Sequence, residues 1–350
     1  MAPKKKKAGP RGRRRTAGRR KRSRAGLAVF VVLLALAVAV VTAVLLFRQP
    51  PIKPLNAQVL QTFGGEGTGP GKLESPRGIA CDRQGDVYVA DLGNSRIDKF
   101  SPEGKFLLSI GKKSDNTQAG ETARPGHFKE PSGVAVDSQG DVYVADTWNG
   151  RIEKFDPKGK FLKDFGGANY DFYSPRDVAV DAQGDIYVAD TGNSRVQIFS
   201  PQGQRLKILG SRGRGEGQFM EVYGMALDAG GDLFVADPGN GRIHKYSPLP
   251  KAELLKECNV AGWQRGAPFW PHLTVDSMGH VYATDNTNRQ IWVFDNNLKY
   301  LGTFGGGLMG RDFFASPLGA AMAPGDQLVV SDMGKNMILK FAPVVFPAAK

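Results

Sequence analysis

The residues of this 350-residue chain whose types and spacing could do chemistry fall into two sets. The first is a series of carboxylates, Asp91, Asp146, Asp190, Asp237, Asp285 and Asp332, spaced 55, 44, 47, 48 and 47 residues apart. Four of them open an Asp-x-x-Asn-x-Arg cluster, as in Asp91, Asn94 and Arg96 or Asp146, Asn149 and Arg151. A ring of carboxylates could hold a metal or move protons. A catalytic group, however, is needed once, and these recur. Asp and Asn hold tight turns through side-chain to backbone bonds, and Arg bridges to a carboxylate with paired hydrogen bonds. The series therefore reads as structural, and so do the Gly-Asp pairs that precede it, such as Gly85 and Asp86.

The second set changes from repeat to repeat. It comprises Arg77, Ser132, Arg176, Tyr223, His272 and Leu318, each one residue after a recurring proline or its equivalent. The residues that follow them are Gly78, Gly133, Asp177, Gly224, Leu273 and Gly319. Two arginines, a tyrosine and a histidine could clamp an anionic or carboxylate-bearing ligand. The alternative is that they pair with Asp177 and Glu221 and serve no ligand. The candidate binding residues are thus Arg77, Ser132, Arg176, Asp177, Tyr223 and His272. No catalytic residue, metal ligand or cofactor is assigned.

The elements that must position these residues are short strands. In the first repeat they are expected at Gly78–Cys81, Val87–Ala90, Ile97–Phe100 and Phe106–Ile110, separated by Gly-, Pro- and Asn-containing turns. Four antiparallel strands per unit, six times over, describe a β-propeller. The sixth unit lacks its fourth strand. Residues 57–64 match the fourth strands of other units, so they are expected to complete the last blade and close the ring. In such a meander, the link between blades and the start of each first strand share one face. The variable set should therefore rim the channel mouth, beside the variable links 111–130, 210–220 and 305–315.

The P-x-G-(V/I)-A-V-D, G-D-(V/I)-Y-V-A-D and G-N-x-R-(I/V) elements resemble NHL repeats over residues 57–342. Unit five departs from the pattern at Leu273, His280 and Arg289, and unit six at Lys335-Asn336-Met337. The resemblance implies an all-β, six-bladed β-propeller of the kind used to bind proteins, RNA or small ligands. Some related propellers are lyases or lactonases, and their metal-dependent members gather several histidines or carboxylates around the channel. Of the four histidines here, His272 alone belongs to the rim series, so a three-histidine zinc site is not expected. Cys81 and Cys258 fall in opposite blades, too far apart for a disulfide, and Cys81 is expected in the core.

Charge and hydropathy complete the organisation. Thirteen of the 47 Lys and Arg residues lie within residues 1–25, which hold no acidic residue; the remaining 34 balance the 34 Asp and Glu. The net charge of +13 therefore belongs to a disordered basic tail, and nucleic acid is an unlikely partner for the propeller. Residues 26–47 are uncharged and apolar, long enough as a transmembrane helix to cross a bilayer. A cleaved signal peptide, ending near Val41-Thr42-Ala43, is the alternative. The charge asymmetry places the tail in the cytoplasm, where it could meet anionic lipid, and the propeller outside. Residues 48–56 read as a Pro-rich linker and 343–350 as a C-terminal tail. The whole reads as a membrane-anchored extracytoplasmic module that binds a protein or a small anionic ligand. A membrane-anchored, metal-dependent lyase or lactonase-like hydrolase acting at the channel mouth is the alternative.

Overall fold

The computed structural model describes residues 33–34, 53–114, 124–166, 170–263, 270–308 and 312–346. Met1–Pro50 and Pro51–Lys350 form separate units. Of the first, only Leu33 and Leu34 are described, and both are helical. The rest of the expected span 26–47, and all of the basic tail, lie outside the described residues. Among the described residues no helix is long and apolar enough to cross a membrane.

The second unit is a six-bladed β-propeller, each blade an antiparallel four-stranded sheet. Blade one runs β2 (Pro76–Cys81), β3 (Val87–Asp91), β4 (Arg96–Phe100) and β5 (Phe106–Ile110). Blades two and three repeat this order from Pro131 and Pro175. Blades four and five begin with shorter first strands, Met225–Leu227 and Leu273–Val275. Blade six has the strands Pro317–Ala323, Gln327–Asp332 and Met337–Phe341, and β1 (Val59–Gly64) supplies its outer strand. The strand expected at 57–64 thus closes the ring, and no blade is left with an unpaired terminal strand.

Each sheet has two apolar faces. The second strands, such as Val87–Asp91 and Val142–Asp146, are buried at every position. A sheet of this kind must be covered on both sides. The ring does so by placing one core between each pair of neighbours. Tyr88, Ile97 and Ile110 of blade one pack with Val134, Val144 and Phe155 of blade two, and equivalent clusters follow around the ring. The cluster of Ala321, Val329 and Ile338 with Ile79 and Val87 joins the last blade to the first.

Every blade aspartate of the recurring series is fully buried. Asp146 accepts hydrogen bonds from the Lys129 amide at 2.7 Å, Asn149 Nδ2 at 2.7 Å and Arg151 Nε at 3.0 Å. The first of these bonds ties the incoming link to its blade; Asp91, Asp190 and Asp237 make the same tie to Glu74, Tyr173 and Met220. Where the arginine is missing, other donors replace it. Asp285 takes Trp292 Nε1 at 2.9 Å, and Asp332 takes the amides of Ala315, Ser316 and Lys335. Burial raises the Asp91 pKa to about 6, against the pull of the Glu74 amide, Asn94 and Arg96.

Part of the expected linker lies on the propeller. Leu55 donates its amide to the Thr303 carbonyl, Thr303 returns one to Lys53, and Leu55 and Ala57 are buried. Val345 bridges to Asn56, and the Phe346 ring lies 4.3 Å from His280. Residues on both sides of the ring closure are thereby held to blades five and six.

Asp146→Ala should lower the unfolding free energy by about 3–5 kcal/mol, because it leaves the buried Arg151 and two part-buried donors without their acceptor. Asp164→Ala, at a half-exposed side chain, should cost less than about 1 kcal/mol. Urea denaturation of the two variants beside the wild type measures the difference.

Candidate functional site

The first strands of the blades crowd together around the central channel. A Cβ at Gly78 would lie 2.8 Å from the Gly133 Cα of the next blade, and one at Gly224 would lie 2.7 Å from the Pro271 carbonyl oxygen. Only glycine permits so close a backbone approach at these two positions. Hydroxyls stitch the same level: Thr147 Oγ1 donates to the Pro175 carbonyl, Thr284 Oγ1 to Leu318, and Ser331 Oγ to Arg77. Each of these bonds runs to the following blade, and the last joins blade six to blade one.

This pinch brings the whole variable set together. Arg77, Ser132, Arg176, Asp177, Tyr223, His272 and Leu318 line one recess of about 30 Å3. Such a volume holds about one water. A ligand would therefore insert no more than a terminal group and lie across the mouth.

The two arginines face the recess without a carboxylate partner. Among the described residues, none lies within 4.0 Å of either guanidinium. Each lies instead over aromatic faces. The Arg77 guanidinium is 4.3 Å from the Trp270 ring centroid, and that of Arg176 is 5.8 Å from Trp148 and 5.7 Å from Tyr223. Arg77 Nε is buried and has no hydrogen-bond partner. Burial and the neighbouring Arg176 lower the Arg77 pKa to about 10, with Glu130 and Tyr223 pulling the other way. The group keeps its charge at neutral pH, at an electrostatic cost. Burial, and then Glu221, raise the Tyr223 pKa against both arginines, so the phenol keeps its proton.

Asp177 and His272 form a pair beneath them. Asp177 is 2% exposed, accepts from the Met225 amide at 2.8 Å, and lies 3.4 Å from His272 Nε2. His272 Nδ1 lies 3.1 Å from the Ala320 carbonyl oxygen. Both ring nitrogens face acceptors, an arrangement that suits the imidazolium. Burial works to lower the His272 pKa, but the Asp177 carboxylate and these hydrogen bonds outweigh it and hold the pKa above its ordinary value. His272 borders both the recess and the channel below, so its ring stands between them.

Other sequence candidates lie elsewhere or are already engaged. Asp177 does not pair with the arginines, because it is held by blades four and five. The Ser132 hydroxyl, 6% exposed, is bonded to Thr147 Oγ1 at 2.8 Å. His127 lies in an inter-blade link, His244 is buried between Asp237 and Glu257, and His280 bonds Asp276. Among the described residues no three His, Cys, Asp or Glu side chains converge as a metal site. Both cysteines are free thiols, and burial pushes each up to about 12. Cys81 borders the channel rather than lying wholly within an inter-blade core, because it ends an inner strand. Sequence reasoning missed Trp270 and Trp148. Trp270 directly precedes the rim dipeptide Pro271-His272, and Trp148 sits within an Asp-x-x-Asn turn taken as structural.

Comparison with known proteins identifies the repeats. The family described as NHL repeat matches residues 73–100, 128–155 and 172–199. A probable peptidyl-alpha-hydroxyglycine alpha-amidating lyase of Caenorhabditis elegans is 35% identical over 102 residues, 29% of this chain and 28% of that protein. Peptidylglycine alpha-amidating monooxygenase of Rattus norvegicus is 34% identical over 119 residues, 33% of this chain and 11% of that protein. The chain thus spans less than a third of either relative. A gluconolactonase structure from Xanthomonas campestris superposes with a TM-score of 0.57 at 16% identity, over 85% of this chain and 99% of that one, which shows a shared fold.

Two outcomes follow from this geometry. Arg77→Met should leave the unfolding free energy unchanged or raise it, since the buried charge it removes has no opposite partner within 4.0 Å among the described residues. Chemical denaturation measures this. Asp177→Asn should lower the His272 pKa, as followed by NMR titration of the ring. With its folded pKa raised, His272 contributes stability that is fully present below about 6.5 and is lost as pH rises through the folded value. That loss should flatten in the variant.

Proposed function

We propose that this NHL-repeat propeller is a binding module that receives the anionic end of a ligand, a carboxylate above all, between Arg77 and Arg176 at the channel mouth. The observation that carries this reading is a pair of mutually repelling guanidiniums at a recess, one with a buried, unsatisfied Nε. Such an arrangement is unfavourable while empty and is relieved by an anion. Guanidinium forks bind a carboxylate through two parallel hydrogen bonds. Trp270 and Tyr223 offer flat apolar surface to the carbon skeleton behind it. The C-terminus of a protein chain is one source of such a group, which suits an interaction module. An anchor at residues 26–47, with the basic residues 1–25 on the cytoplasmic side, would display the propeller outside the cytoplasm. The uncharged stretch and the charge asymmetry of the sequence support this placement.

A lyase reading draws on one observation, the likeness of the repeats to amidating lyases at about a third identity. It would use the same recess, with Tyr223 and the His272–Asp177 pair beside the bound end of a peptide. Turnover of a peptidyl-α-hydroxyglycine by the full chain would favour it.

The binding reading is tested with a short peptide carrying a free C-terminal carboxylate and with its C-amidated twin. The free acid should bind and the amide should not. Arg77→Ala with Arg176→Ala should weaken the acid by about 3 kcal/mol or more, roughly a hundredfold or beyond. Equal binding of acid and amide, or unchanged binding by the double variant, would overturn the proposal.

A further inference from the structure

The face opposite the mouth carries a second irregularity, visible only when the blades are laid over one another. There the turn between first and second strands is built on an aspartate. Asp82, Asp137 and Asp181 each accept from two backbone amides and from the hydroxyl of a second-strand tyrosine. A second carboxylate follows four residues on: Asp86, Asp141 and Asp185.

In blades one and two a lysine of the third strand neutralises this pair. Lys99 Nζ lies 2.8 Å from Asp86 and 3.6 Å from Asp82, and Lys154 Nζ lies 2.8 Å from Asp141 and 3.4 Å from Asp137. Each ammonium also rests over the tyrosine ring, at 4.8 and 4.9 Å. Blade four keeps the lysine: Lys245 bonds Asp232 at 2.7 Å, while Asn296 caps Asp228. Blade five uses His280 against Asp276. Blade three has the carboxylates and Tyr187, but Ile198 stands at the lysine position. Among the described residues no cation reaches Asp181 or Asp185. The nearby Lys207 ammonium bonds the Lys251 carbonyl instead. Burial and the adjacent Asp181 raise the Asp185 pKa, as expected of a carboxylate without a counter-charge.

The space is open where the ammonium is missing. A cavity of about 810 Å3 lies there between blades three and four, bordered by Asp181, Asp185 and Tyr187 and walled by Leu206, Leu249 and Pro250. The cavity bordered by Asp82, Tyr88 and Lys99, between blades one and two, measures about 290 Å3. Leu206 is 43% exposed. A bare divalent ion would want about six oxygen ligands, more than this pair presents. A lysine side chain fits better, since its methylenes can cover the leucines while its ammonium meets the carboxylates.

We propose that the groove between blades three and four docks a basic segment of a partner protein, one lysine of which takes the place that Lys99 and Lys154 occupy in their own blades. This site lies at the far end of the inner strands from the mouth and does not depend on the reading given to it.

The probe is a fluorescently labelled Leu-Lys-Leu peptide, acetylated and amidated at its ends so that it offers no carboxylate to the mouth. Its binding to the full chain is followed by anisotropy beside a twin bearing Nε-acetyllysine. The lysine peptide should bind at least tenfold more tightly than the twin. Asp181→Asn with Asp185→Asn, and separately Ile198→Lys, should each weaken it at least tenfold, whereas Arg77→Ala with Arg176→Ala should not. Asp185→Asn alone, which alters no hydrogen bond of the turn, serves if the double variant or Ile198→Lys fails to fold. Equal binding of the two peptides, absence of binding, unchanged binding by the folded variants, or binding of calcium in place of the peptide would each overturn the proposal.

Discussion

The buried aspartate that ends the second strand of every blade is a charge taken out of water, and the propeller is arranged around meeting its needs. A carboxylate in that position is tolerated only if several donors converge on it. In the first blade the chain supplies them from three directions: the amide of the incoming link, the asparagine of the next turn and a side chain of the third strand. One residue therefore ties together a link, a turn and two strands. Among the described residues, the tie from carboxylate to link amide fixes where the first strand begins in five of the six blades, and those beginnings help form the mouth.

Two closures hold the ring, at different radii. At the perimeter β1 pairs with the strand Met337–Phe341, so a segment from the start of the propeller completes the last blade. Near the axis the Ser331 hydroxyl bonds the Arg77 carbonyl, and a Cβ at Gly319 would overlap the same backbone. The second closure places Arg77 on a strand whose backbone is gripped by its neighbour. A guanidinium without a carboxylate partner can then be held against Trp270 and beside Arg176 because the backbone beneath it has no freedom to retreat. The electrostatic strain of the mouth rests on the rigidity of the ring.

The repeats also provide their own controls. A position filled alike in most blades is explained by what every blade needs, and a departure marks where one blade does something else. Asp177 stands where four other blades have glycine, and its side chain reaches blade four through Met225 and blade five through His272. Ile198 stands where four other blades have lysine, and among the described residues no cation meets the carboxylates beside it. Both departures belong to blade three, at its opposite ends. The comparisons with known proteins name the repeat.

Much of the fold was legible from the sequence, because a propeller is built from local pattern. Alternating short apolar strands, turn residues at fixed offsets and a period near 47 residues are properties of neighbours along the chain. The closing strand was legible for the same reason, since residues 57–64 copy the fourth strands they must imitate. The rim positions Arg77, Arg176, Tyr223 and His272 followed from their shared place in the repeat. What only the tertiary structure decided depends on distances between residues far apart in sequence. Trp270 reaches Arg77 across 193 positions, and His272 reaches Asp177 across 95. The absence of a counter-ion at either arginine among the described residues, and the seating of Lys53–Asn56 against Thr303, likewise follow from how the blades close on one another. Repetition in the sequence specifies the blade; the angle and spacing at which six blades meet specify which side chains share a recess and which charges are left unpaired.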